Sequence, residues 1–175
     1  MKNILLILFV LGSIGYLATT QRWEPNATGT GTGAGRSGPD FSDPVYAVVR
    51  FQAEIHDRSF QAMALAKAAD DADCKHVAEH LVETMGNDPK SAVQWSLQSS
   101  ECTKNLEPRN LKLFSNRPIN VSYVSAARGS SSERELRIVF WGVTVDESDR
   151  ICETIHSVQR NWQGAVTCVH ANRSQ

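Results

Sequence analysis

Residues 3–20, Asn3-Ile-Leu-Leu-Ile-Leu-Phe-Val-Leu-Gly-Ser-Ile-Gly-Tyr-Leu-Ala-Thr-Thr20, carry no charged side chain and follow directly on Lys2. A run of this kind sets the compartment, and the compartment decides how the cysteines beyond it behave. Lys2 and the terminal amine form a positive n-region that stays on the cytoplasmic side, so residues 21–175 are expected beyond the membrane. Two fates fit the run. Kept, it is a helix of about 27 Å, just short of a hydrocarbon core of roughly 30 Å, with Trp23 near the interface. Cleaved, it needs small residues at −3 and −1; Ser13 with Gly15, or Ala18 with Thr20, are available, though neither pair is close to A-x-A. The preferred reading is a single-pass anchor in a bacterial inner membrane with the C-terminal domain in the periplasm. The alternative is secretion after cleavage. A buried core helix is disfavoured because no soluble partner segment follows closely, and no cysteine lies near the end of the run to take a lipid.

The composition then changes abruptly. Residues 21–44 include Thr28-Gly-Thr-Gly-Thr-Gly-Ala-Gly35 and then Ser37, Gly38 and Pro39, too little apolar surface to fold. Such a Gly-rich stretch is expected to be a tether with a reach of roughly 25 Å. Its glycines do not form a phosphate loop: no strand precedes them, no helix follows, and the lysine of that motif is missing.

Residues 45–171 are read as a single domain of modest core, with 172–175 as a tail. The chain is 41% hydrophobic with a formal net charge of −1, so no basic excess speaks for nucleic acid. Val49, Phe51, Ala53 and Ile55 alternate with Arg50, Gln52, Glu54 and His56, the period of a half-buried strand. Asp57-Arg58-Ser59 reads as a turn, and Phe60 to Lys67 as a second strand or, from its alanines, a helix. Asp70 or Asp71 caps a helix whose face is Cys74, Val77, Ala78, Leu81 and Met85 and which ends at Gly86-Asn87-Asp88-Pro89. Val93, Trp95 and Leu97 then alternate as a strand.

The order recurs. Val121 to Ala127 is strand-like, Gly129 to Ser132 turns the chain, and Leu136 to Thr144 is apolar enough for a central strand. Asp146-Glu-Ser-Asp149 opens a helix in the manner of Asp70-Asp-Ala-Asp73, with Ile151, Cys152, Ile155, Val158 and Trp162 on one face. Ala165 to Ala171 closes as a strand. The expected fold is α+β: a mixed, mostly antiparallel sheet with two main helices on one face, built from two ββαβ units at about 45–102 and 120–171. Each unit holds one cysteine on its helix and one in or just after the following strand. Four cysteines allow three pairings; the repeat favours Cys74–Cys102 and Cys152–Cys168, worth roughly 3–4 kcal/mol apiece by chain entropy. A structural zinc site is the rival, but no pair shows the close C-x₂₋₄-C spacing.

His76-Val-Ala-Glu-His80 matches H-x-x-E-H and resembles the inverted zincin pattern of metalloproteases. That resemblance implies two imidazoles sharing Zn²⁺, with Glu79 as base toward a bound water. It covers five residues only. The family pattern also implies a third ligand on another helix, and Glu101, Glu107 and Glu153 lack that context. At 100° per residue the apolar face centres near Cys74 and Met85, leaving His76, Glu79, His80 and Glu83 on the opposite, solvated side. His56-Asp57 sits at a turn, His156 and His170 are isolated along the sequence, Ser130-Ser131-Ser132 lacks a G-x-S-x-G frame, and Asp70, Asp71 and Asp73 lack the spacing of a calcium loop.

No cofactor, catalytic group or metal ligand is therefore assigned. The expectation is a non-catalytic binding or assembly module of the cell envelope, held to the membrane by residues 3–20, with a protein partner and no nucleic acid. A small zinc protein or metallohydrolase using residues 76–80, and a secreted binding or inhibitor factor, are the alternatives.

Overall fold

A computed structural model describes residues 39–86, 92–115, 119–131, 133–158 and 162–171, all within one compact unit, 35–175. The apolar run at 3–20 and most of the Gly-rich stretch lie outside the described residues. Among those described, no helix is long and apolar enough to cross a membrane.

The elements run β1 (Val45–Ile55), β2 (Arg58–Ala68), α1 (Asp71–Gly86), β3 (Gln94–Thr103), α2 (Pro108–Leu111) with a 3-10 turn (Lys112–Phe114), β4 (Ser122–Ala126), β5 (Leu136–Trp141), α3 (Val145–Val158) and β6 (Val166–Val169). The fold is α+β, one six-stranded sheet in the order β3-β1-β2-β5-β4-β6. Where the sequence reading allowed a parallel component, all the described pairings are antiparallel. Each half has the same plan: its third strand at the edge, then its first, then its second. The halves meet second strand to second strand, β2 against β5. The repeat is one of topology, for β1 has 11 residues and β4 only 5.

β2 settles an ambiguity. Its alanines are good helix formers, yet Ala62, Ala64, Ala66 and Ala68 all lie in the core beneath the helices, while Met63 and Leu65 fill the opposite face. A strand between two layers buries both faces, and small residues on one let helices approach closely. The turn into it is shorter than Asp57-Arg58-Ser59: Ile55 pairs directly with Arg58, and His56 takes a φ of 54° to close a two-residue loop.

The main core joins the inner residues of β1, β2, β4 and β5 to Cys74, Ala78, Leu81 and Met85 of α1 and Ile151, Cys152 and Ile155 of α3. Both main helices therefore cover one face. The other face carries a smaller cluster, Tyr46, Val48, Met63, Leu65 and Val139, roofed by Leu106 and Leu113 with Phe114, Ile119 and Val121 against them. Its roof, the segment from β3 to β4, has no counterpart in the sequence reading.

Both disulfides form as the repeat implied, Cys74–Cys102 and Cys152–Cys168, closing sequence separations of 28 and 16. Cys102 sits opposite Ala47, the third residue of β1, and Cys168 opposite Val124, the third residue of β4. One irregularity makes the first link possible. Phe51 pairs with Leu97 but Arg50 pairs with Ser99, so Gln98 is an extra residue in β3. Strict alternation from Trp95 and Leu97 would turn Cys102 away from the helices. The bulge changes the parity and returns it to the face of Ala47 and α1.

Candidate functional site

α1 starts where Asp70 Oδ1 accepts from the N–H of Asp73 at 2.8 Å, and Cys74 N–H donates to the Asp70 carbonyl at 2.9 Å. That start fixes the helix phase. Cys74, Ala78, Leu81 and Met85 are buried; His76, Glu79, His80 and Glu83 are exposed. Among the described residues, no set of three His, Cys, Asp or Glu side chains converges into a metal-holding group. The four thiols are consumed in disulfides.

α3 opens at Val145, one residue before Asp146. Thr144 and Glu147 form a reciprocal capping box, Thr144 N–H donating to Glu147 Oε2 at 2.7 Å and Glu147 N–H to Thr144 Oγ1 at 3.2 Å. The backbone bond from Thr144, with Arg58 at 2.7 Å, holds the Glu147 carboxyl below its ordinary range against the effect of burial. A cavity of about 330 Å³ opens beside this cap, lined in part by Val143, Val145, Ser148 and His170. Ser148 Oγ lies 3.3 Å from His170 Nδ1, and His170 Nε2 lies 3.6 Å from Asp149 Oδ1. These are the residue types of an acyl-transfer triad, brought together although His170 is isolated in sequence. The arrangement differs from a triad. Serine faces Nδ1, the carboxylate comes from the next residue of the same helix, and the side chains of His170 and Asp149 are 48% and 58% exposed. Ser148 is one helical turn before Cys152, and His170 is two residues past Cys168, so the contact runs beside the disulfide and clips α3 to the end of β6.

The densest polar cluster is also structural. Glu133 accepts backbone N–H bonds from Gly129 at 2.6 Å, Ser130 at 3.0 Å and Gly164 at 3.2 Å, and a further one from Gln163. Burial pushes its carboxyl upward, but the four donors outweigh it and hold the group below its usual range. Gly129 and Gly164 are required there, since a Cβ on Gly129 would lie 2.2 Å from Gly164 N. Next to it, buried Arg134 makes a two-point ion pair with Asp73, at 3.0 and 2.9 Å. Arg128 and Arg134 stand over Phe41 at 4.9 and 5.2 Å from the ring centre, fixing the chain where it enters the domain. Among the described residues no buried side-chain nitrogen or oxygen lacks a partner.

What is left unspent is backbone. Among the described residues β3 is an edge strand of 10 residues with β1 as its sheet neighbour, and Gln94, Ser96, Leu97, Gln98, Ser99, Ser100 and Glu101 are all exposed. It contains no Lys, Arg or Pro, the usual guards of an open edge, and its one charge is Glu101. Leu97 is 48% exposed on the helix side of the sheet. The opposite edge, β6, has only 4 residues. No family model, curated protein or solved structure matches the chain.

Proposed function

We propose that the chain is a non-catalytic binding or assembly module of the cell envelope. Residues 3–20 tether it to the inner membrane, the Gly-rich stretch gives reach, and the domain works in the periplasm. The observation that carries this reading is β3, long and unguarded, the edge strand of the sheet among the described residues. An extended segment of a protein partner adds there as a seventh strand. Main-chain bonds supply affinity, and an apolar side chain set against Leu97 supplies selectivity. Two disulfides support an oxidising compartment and make the scaffold rigid.

The test is photo-crosslinking in the native cells, with the reactive residue at Ser100 on β3 and, as control, at His80 on the outer side of α1. A reproducible adduct from Ser100 alone is expected. A correctly localised chain that captures no reproducible partner from either position contradicts the proposal. The intact mass of the mature N-terminus separates the anchored protein from a secreted binding factor, which would use the same edge.

A further inference from the structure

We infer that the sheet face opposite α1 and α3 carries a second binding surface, for a linear acidic oligosaccharide, independent of the β3 edge. The roof over that face covers Met63, Leu65 and Val139. Above it, among the described residues, the face stays open and is set with polar groups in register. Ser96, Gln52, Gln61 and Trp141 form one row across β3, β1, β2 and β5. Gln52 Nε2 donates to Ser59 Oγ at 2.6 Å, and Ser96 Oγ donates to the Gln52 carbonyl at 3.2 Å, so this row is organised before any ligand arrives. Trp141 ends it as an exposed indole, 39% accessible.

Arg50 lies one step along the same face, between Ser99 and Met63. Its guanidinium meets the Met63 sulfur at 3.4 Å, and among the described residues no carboxylate stands within ion-pair distance of it. A half-buried guanidinium on an open face suits a carboxylate, which it holds through paired N–H donors. Strand spacing puts Arg50 and Trp141 roughly 12 Å apart, too far for one sugar ring and fitting about two or three. A saccharide fits this surface better than a peptide. The backbones of β1, β2 and β5 are bonded on both sides and leave nothing for a peptide main chain. Amides and hydroxyls that donate and accept match sugar hydroxyls, and an indole stacks on a ring's C–H face.

The experiment is calorimetric titration of the full chain with trigalacturonate, neutral maltotriose and a tri-aspartate peptide. Wild type is compared with Arg50→Gln and Trp141→Ala, each checked for native circular dichroism and two intact disulfides. Trigalacturonate is expected to bind, at least tenfold better than maltotriose. Arg50→Gln should remove that preference, and Trp141→Ala should weaken both sugars about tenfold or more. Equal binding of the two sugars, binding untouched by either variant, a tri-aspartate affinity matching trigalacturonate, or no binding at millimolar sugar each overturns the inference. Capture at β3 is unaffected by any of these results.

Discussion

Glu133 is the residue on which most of the loop structure turns. Its carboxylate collects N–H groups from two separate loops, 129–130 and 163–164, whose glycines touch backbone to backbone. Glu133→Gln keeps the shape but turns an NH₂ group toward donors, so the part-buried N–H groups of Ser130 and Gly164 lose an acceptor, at about 0.5–1.5 kcal/mol. Thermal melting should show that loss, while Glu83→Gln, on the exposed side of α1, should change little. The sign with pH follows from the lowered carboxyls. Glu133 and Glu147 titrate below the ordinary glutamate value of 4.5, so their stabilisation is complete above that value and disappears as pH falls through their folded values. Acid melting of the wild type should therefore begin below about pH 4.5, and Glu133→Gln should lose part of that dependence. A flat melting temperature between pH 5 and pH 3 contradicts the assignment. Sequence alone did not single out Glu133, because a carboxylate that serves a backbone nest has no spacing signature.

At the scale of elements, strong periodicity was readable and long-range context was not. α1 and α3 follow their apolar patterns because each buries one defined face against the sheet, and β1 and β5 follow theirs because both set an alternating row against the helices. β2 read as strand or helix because alanine serves both, and only its place between two layers decides. The roof from Leu106 to Val121 was missed: its helix has 4 residues, too few to show a period. α3 begins at Val145 rather than Asp146 because the capping box, Thr144 with Glu147, overrides the acidic run. His170 looked isolated along the chain; β6 carries it to Ser148, 22 residues away. The bulge makes a clean prediction. Inserting one alanine between Ser100 and Glu101 shifts the alternation of β3 by one residue beyond the bulge and turns Cys102 from the core. Alkylation with mass spectrometry should then find Cys74 and Cys102 free while Cys152–Cys168 persists. Retention of both disulfides contradicts the parity argument.

Across the whole molecule, two similar ββαβ halves are clamped helix to edge strand and joined through β2 and β5. Each clamp pins an edge strand that has a sheet partner on one side only. Cys152→Ala/Cys168→Ala should cost roughly 3 kcal/mol in denaturant unfolding and fray short β6 first. Cys74→Ala/Cys102→Ala should cost roughly 3–4 kcal/mol and also loosen β3. A rigid, open β3 is what the proposed capture needs, since an edge already ordered loses less entropy on pairing. The most direct measurement is photo-crosslinking from Ser100 in cells, repeated with lysines at Gln98 and Leu97 as edge guards. Loss of the adduct in a guarded chain with wild-type abundance and melting temperature is the expected result. An adduct that survives the lysines unchanged would place capture elsewhere and contradict the account.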